Sequence, residues 1–173
     1  RQFIENGIIP EKIVILPHGV DTSVYYPQPH VNKPLPEFIF LFVGGFAIPG
    51  DRKGADMLAA AFAEEFGHHE SVRLILKINT IYNPQFDCVS YIRQITKNHP
   101  KITIITENYN QQQLAHLYNM SDVHVMPTRG EAFSMNIAES MACNKTAIVT
   151  NYSGHLDYCL PEFTFLIRLA KFV

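Results

Sequence analysis

Several things are scarce in this sequence, and each shortage removes a class of function. Long apolar runs are missing: the longest, such as Phe38 to Phe46, fall well short of the roughly 20 residues that a membrane-crossing helix needs. Basic clusters are missing too. A formal net charge of -2, with nothing denser than the pair Arg52-Lys53, argues against a nucleic-acid binder, which concentrates positive charge on one face. Cysteine is limited to Cys88, Cys143 and Cys159; an odd number, widely spaced, suits reduced thiols in the cytoplasm rather than a disulfide framework. Three N-x-S/T triplets, at Asn119, Asn144 and Asn151, lie in or beside apparent core elements and count as incidental. There is no internal repeat, and the opening Arg1-Gln2-Phe3-Ile4 is neither an initiator Met nor a secretory leader. It is expected to come from the interior of a longer protein.

What the sequence does have is the material for one well-filled α/β domain. An apolar fraction of 47% over 173 residues is ample for a core. Continuous apolar, β-branched-rich runs predict strands over Lys12–Leu16, Phe38–Val43, Val72–Ile78, Ile102–Thr106, Val123–Met126, Thr146–Val149 and Phe163–Ile167, the pattern of parallel strands buried on both faces. Between them, helical periodicity predicts helices over Lys53–Phe66, Gln85–Asn98, Gln111–Asn119 and Ser134–Cys143, the last with Ser134 as N-cap. Strand and helix alternating in this way mean a Rossmann-like, doubly wound parallel sheet. Pro27, Pro29, Pro34 and Pro36 crowd one short segment, so residues 1–36 are expected to be a lead-in and stiff connector and residues 37–173 the domain. Tyr25 and Tyr26 in this lead-in suggest a hydrophobic clasp.

In open α/β sheets ligands collect beyond the carboxyl ends of strands, where helix N-termini offer free N–H groups and positive dipole. Two turns of this kind stand out. Gly44 to Gly54 is glycine-rich and holds Arg52 and Lys53. It is not a Walker loop, because Asp51 stands where Lys is required, and it lacks G-x-G-x-x-G. Pro127 to Cys143 places Glu131 before a helix and Glu139 on the flank of that helix's apolar face. Physical reasoning leaves two readings of these acids open: ligand-binding groups, or a dipole-complementing acid and a solvated one. Ser153-Gly154-His155-Leu156-Asp157 contains triad residue types but looks like a loop after a core strand. The histidines lack metal-site spacing.

The stretch Gly130–Cys143 resembles the E-x7-E signature of glycosyltransferase family 4, the group 1 glycosyl transferases of GT-B fold, with Glu131 and Glu139 as the two acids. Further segments agree in the same order. Pro17-His18-Gly19-Val20-Asp21 looks like the family's interdomain crossing, Phe42-Val43-Gly44 with Lys53-Gly54 like its phosphate-contacting turn, and Leu114 to Pro127 like the run before the signature. Three positions depart from the pattern: Gly45 stands where Arg is usual, and Ser134 and Asn144 stand where glycines are usual. Asn at a helix C-terminus tolerates the left-handed conformation such a glycine adopts.

The resemblance implies the C-terminal half of a retaining GT-B glycosyltransferase, transferring a sugar from a nucleotide-diphosphate sugar, such as a UDP- or GDP-sugar, to an unknown acceptor. It implies catalytic roles for Glu131 and Lys53. Lys53, with Arg52 beside it, would hold the diphosphate without a metal or other cofactor, across a turn opened by Gly44 and Gly45. Ala132, Phe133, Ser134 and Met135 would offer the helix N-terminus to the same charge. Glu131 would position the sugar, Glu139 the ribose, and Glu107, Asn108 and Tyr109 the nucleobase. The acceptor site would belong to an N-terminal domain of the same protein that this stretch does not contain, so the fragment alone is expected to be inactive. The expected location is cytoplasmic, peripheral at a membrane if the acceptor is a lipid. The alternative is a catalytically degenerate nucleotide-sugar-binding module, favoured by Gly45. A phosphorylase would need a pyridoxal lysine and a far longer chain.

Overall fold

The apolar run that begins at Phe38 becomes an eight-residue strand near the middle of a single sheet. The computed structural model describes residues 2–14, 16–29, 31, 33, 36–46, 51–79 and 85–169. Strands β1 (Phe38–Gly45), β2 (Val72–Asn79), β3 (Ile102–Ile105), β4 (Val123–Met126), β5 (Thr146–Thr150) and β6 (Thr164–Ile167) lie in the order β3-β2-β1-β4-β5-β6. Every pairing is parallel. The helices are α1 (Gln2–Glu5), α2 (Ala55–Glu65), α3 (Cys88–Ile95), α4 (Gln111–Met120) and α5 (Met135–Ala142). This is the dinucleotide-fold strand order, whose direction of winding reverses between β1 and β4 and leaves a crevice above their carboxyl ends.

Alternate residues of β1 serve opposite faces, as the two-residue period of a strand requires. Phe40 and Phe42 pack with Phe62, Phe66, Leu74 and Ile92. Ile39, Leu41 and Val43 pack with Ile75, Leu117, Tyr118 and Tyr25. The lead-in is therefore docked: Tyr25 is buried, the Gln28 N–H donates to Asn119 Oδ1 at 2.8 Å, and Asn119 Nδ2 donates to the Tyr26 carbonyl at 3.1 Å. The expected clasp is made by Tyr25 alone, since Tyr26 is exposed. Residues 30, 32, 34 and 35 of the proline-rich segment lie outside the described residues.

The sheet strands and the four main helices fall within three residues of their predicted bounds. The strand predicted over Lys12–Leu16 does not form. A 3-10 turn, Pro10–Lys12, takes its start, Val14 and Leu16 are exposed, and Ile15 lies outside the described residues. An apolar run becomes a strand only where a neighbour accepts its backbone hydrogen bonds, and none borders this one among the described residues. Helix α3 is shorter than its periodicity suggests. Asp87 caps it by accepting from the Ser90 N–H at 3.0 Å, and Lys97 and Asn98 leave it with φ of 51° and 56°.

Candidate functional site

The turns after β1 and β4 are fastened to each other, and this fixes the crevice. Thr128 Oγ1 donates to the Arg52 carbonyl at 3.0 Å, the Arg129 N–H to the same oxygen at 2.7 Å, and the Arg129 guanidinium to the Asp51 carbonyl. Gly54 allows this contact. Its φ is +80°, and a Cβ there would stand 2.5 Å from the Pro127 carbonyl oxygen. Asp51, buried, turns its carboxylate on the start of α2, accepting from the N–H groups of Ala55 and, at 3.3 Å, of Lys53 and Asp56. Burial pushes its pKa up, against the pull of these backbone donors.

The fastening brings Glu131, Lys53 and Arg52 together. Glu131 Oε1 lies 2.7 Å from Lys53 Nζ and 2.9 Å from Arg52 Nη1. Exposure of the three side chains differs sharply, at 6% for Glu131, 18% for Lys53 and 57% for Arg52. The carboxylate and ammonium are thus largely desolvated, where charge pairing is strong, while Arg52 also reaches the Gly130 carbonyl at the rim. Two cations meet one carboxylate, so the group as a whole favours an anion.

Glu131 is held from behind as well. Its N–H donates to Ser153 Oγ at 2.8 Å, and that hydroxyl donates to the Glu131 carbonyl at 2.6 Å. The Gly154 N–H donates to the same carbonyl at 3.0 Å. A Cβ on Gly154 would lie 1.9 Å from the Ala132 carbonyl oxygen, so backbone meets backbone here with no room for a side chain. The Tyr158 hydroxyl lies 2.6 and 2.7 Å from the carbonyls of Phe133 and Ser134, and its ring packs on Phe133. The stretch Ser153–Asp157, expected to be only a loop, is therefore, with Tyr158 after it, the buttress of the Glu131 turn. His18 of the lead-in packs its ring 5.2 Å from that of Phe133, which brings the Pro17–Asp21 segment to the signature turn.

Ser134 occupies the N-cap of α5 but does not cap it. Its φ of 68° puts the backbone in the left-handed region, and its buried Oγ has no partner among the described residues. This is a correction to the expected side-chain cap, and it explains why a glycine suits the position. Asn144, at the other end, has φ 59°, as expected for a residue in a glycine's place. The first turn of α5 leaves the N–H groups of Met135 and Asn136 without intrahelical acceptors, on the crevice side of Ser134.

A cavity of about 210 Å³ adjoins this group over the ends of β1 and β2, walled by Gly45, Lys77, Asn79, Asn108, Tyr109 and Asn136 among others. Asn136 donates to the Val43 carbonyl at 2.6 Å. Tyr109 enters α4 through a reciprocal capping box between Asn110 and Gln113. Gly44, Gly45, Asn108 and Tyr109 of the expected set line this cavity; Glu107 is exposed beside it. Lys77 was not expected. It stands among Leu74, Ile75, Leu76 and Ile78 as one more strand residue, yet it is buried, and burial lowers its pKa while the Glu107 charge works the other way. A larger hollow of about 530 Å³ lies at the amino ends of β5 and β6, the wrong end of a parallel sheet for a ligand.

Glu139 is not gathered with the other acid. It sits between α4 and α5, where the Tyr118 hydroxyl donates to Oε2 at 3.1 Å and Tyr25 also reaches it. Burial raises its pKa, and both tyrosines are pushed up in turn, Tyr25 to about 12. The middle of the glycine-rich turn, residues 47–50, lies outside the described residues. Among the described residues no three of His, Cys, Asp or Glu gather as a metal site would require, and no helix is long and apolar enough to cross a membrane.

Comparison with known proteins decides what frame this crevice belongs to. The family of glycosyl transferases group 1 matches residues 37–167. The chain belongs to the group 1 glycosyl transferases. Its GT-B architecture is shared with the C-terminal domain of LpcC, a group 1 glycosyl transferase from Francisella tularensis, at a TM-score of 0.71 and 18% identity over 88% of this chain and 82% of that one. Anabaena HepE, crystallised in complex with UDP-glucose, aligns at a TM-score of 0.77 and 19% identity over 98% of this chain but 47% of its own. A D-inositol 3-phosphate glycosyltransferase of Acidothermus cellulolyticus is 22% identical over 166 residues, which is 89% of this chain and 36% of that protein. The chain thus spans 36% of that glycosyltransferase and 47% of HepE.

Proposed function

We propose that this chain forms the donor-binding wall of a retaining glycosyltransferase that uses a nucleotide-diphosphate sugar. The observation that carries the reading is the desolvated Lys53–Glu131 pair, with Arg52 at its rim, beside the N-terminus of α5 at the sheet's switch point. When the bond from the sugar to the diphosphate breaks, negative charge grows on the phosphate oxygens. Lys53 and the free N–H groups of Met135 and Asn136 are placed to offset that charge, and fixed donors in a water-poor site lower the barrier more than mobile ones. Glu131 accepts from sugar hydroxyls, its orientation fixed by Ser153 and Gly154. Glu139 accepts from the ribose hydroxyls. HepE, which shares the fold, binds UDP-glucose, and this supports a sugar nucleotide as ligand here. The acceptor would be held by an N-terminal domain, so transfer needs the whole enzyme and this stretch alone is inactive.

The diphosphate is held by cations and helix N–H groups, without a divalent metal. Calorimetric titration with UDP and GDP, with and without EDTA, tests this. Binding that survives EDTA is the expected result, and a strict metal requirement contradicts it. Retention is tested by NMR of the product anomer formed by the full-length enzyme.

A further inference from the structure

One buried cation stands apart from the Arg52–Lys53–Glu131 group. Lys77, near the carboxyl end of β2, is 6% exposed. Its ammonium meets the Ile78 carbonyl only at 3.5 Å and lies 5.4 Å from the centre of the Tyr109 ring. Neither contact neutralises it, and among the described residues the carboxylate that acts on it, Glu107, is on an exposed loop. Strand register sets Lys77 opposite Val43, on the face where Ile75 is core. An aliphatic residue would fill this place without cost, whereas a buried ammonium is expensive unless something accepts from it.

The cavity beside Lys77 says what that acceptor is. Its walls are carboxamides, Asn79, Asn108 and Asn136, with the Tyr109 ring and the bare backbone of Gly45. At about 210 Å³ it has the room of about seven waters, the scale of one heterocycle rather than of a whole nucleotide-sugar. Aromatic and amide walls suit a flat ring with polar edges.

We propose that Lys77 selects the nucleobase, donating to the exocyclic carbonyl oxygen of an oxo base (O4 of uracil or O6 of guanine) and rejecting bases with an amino group at that position. The proposal rests on the reading of the crevice as a nucleotide-sugar site. An ammonium can only donate. Uracil and guanine present an acceptor at this edge, while cytosine and adenine present amino protons to it. The ring N–H beside the oxygen also needs an acceptor, and Asn136, whose N–H is committed to the Val43 carbonyl, keeps its amide oxygen for one.

The test is titration of the chain with UDP, GDP, CDP and ADP, repeated on Lys77→Met and Lys77→Gln, with melting temperatures for each. The wild type is expected to bind UDP or GDP roughly ten-fold or more tighter than CDP and ADP, the yield of one charge-assisted hydrogen bond. Lys77→Met loses that preference while its Tm holds or rises, because the buried ammonium is gone. Lys77→Gln, whose amide oxygen can accept from an amino group, gains CDP and ADP relative to the wild type. A wild-type preference for amino bases, or an oxo preference that survives in both variants, overturns the proposal. A collapse of Tm in Lys77→Met with base preference intact in Lys77→Gln does so too, since it makes Lys77 structural. If no nucleoside diphosphate binds the wild type, the donor-site reading itself falls and takes this one with it.

Discussion

The Lys53 ammonium lies 2.7 Å from Glu131 Oε1, and the Arg52 guanidinium reaches the same oxygen at 2.9 Å. One carboxylate oxygen therefore draws on both cations that a diphosphate would use. In the proposed reading the two acceptors would compete for the same donors, with Glu131 a placeholder as well as a sugar ligand. Replacing it is expected to separate the roles. Glu131→Gln keeps or improves, by up to a few-fold, the affinity for a nucleoside diphosphate, and removes the extra affinity of the sugar-linked form. Paired titrations with UDP and UDP-glucose, or the GDP pair, report both. Equal losses for the two ligands rule out the division.

Glu139 gives a pH-dependent prediction. Burial raises its pKa above 4.5, although the Tyr118 and Tyr25 hydroxyls donate to its charged form. A raised folded-state pKa means that folding favours the protonated acid. That contribution is complete below pH 4.5 and is lost as pH rises through the raised value. Above that value the ionised carboxylate is a burden on the fold. Glu139→Gln keeps an acceptor for Tyr118 and is expected to raise Tm by roughly 2–4 °C at pH 7, with the gain vanishing by pH 4. Thermal melts across that range check the sign. The same variant weakens nucleoside binding, because a charge-assisted acceptor for the ribose is gone.

Gly154→Ala tests the buttress. The new Cβ would fall 1.9 Å from the Ala132 carbonyl oxygen, and backbone cannot step aside as a side chain does. Overpacking of this kind costs about 1–3 kcal/mol, and the strain lands on the Glu131 turn. The expected result is a lowered Tm together with weaker binding of the sugar-linked nucleotide. Loss of stability with binding unchanged would sever the link between buttress and site.

Ser134→Gly moves the other way. It removes a side chain from φ 68° and an unpartnered buried hydroxyl at once. Left-handed backbone costs a non-glycine residue roughly 1–2 kcal/mol, partly offset by the greater chain entropy of glycine when unfolded. A net gain of about 1 kcal/mol is expected, seen as a shift of the denaturation midpoint at constant slope.

How much of this was legible beforehand varies from residue to residue. Strand β4, Val123–Met126, is bounded as its apolar run predicts, because buried parallel strands write themselves as continuous runs. Lys12–Leu16 carries the same signal without a neighbour to pair with among the described residues, and no local pattern records a missing neighbour. Glu131 and Glu139 were visible as acids at a helix start and flank, but only a resemblance to a family told them apart from surface charges. Ser153, Gly154 and Tyr158 were beyond reach. They act on a turn more than twenty residues earlier, brought near by the return of the chain through β5. Lys77 was hidden differently, as a cation inside a strand whose neighbours are all aliphatic. The unusual feature there was polarity where the pattern called for none.

Strand β1 runs beside β2 for its full eight residues but beside β4 through only two, Phe40 with Val123 and Leu41 with His124. Beyond Leu41 the two halves of the sheet part company, and Asn136 takes up the Val43 carbonyl. The sheet thus has a seam, and the crevice is its open end. A ligand that touches Lys53 and Lys77 on one side and Glu131 and the N-terminus of α5 on the other would stitch that seam. Its binding energy would then appear as added resistance of the β1–β4 amides to hydrogen exchange, a mechanical readout of occupancy at the shortest pairing of the sheet.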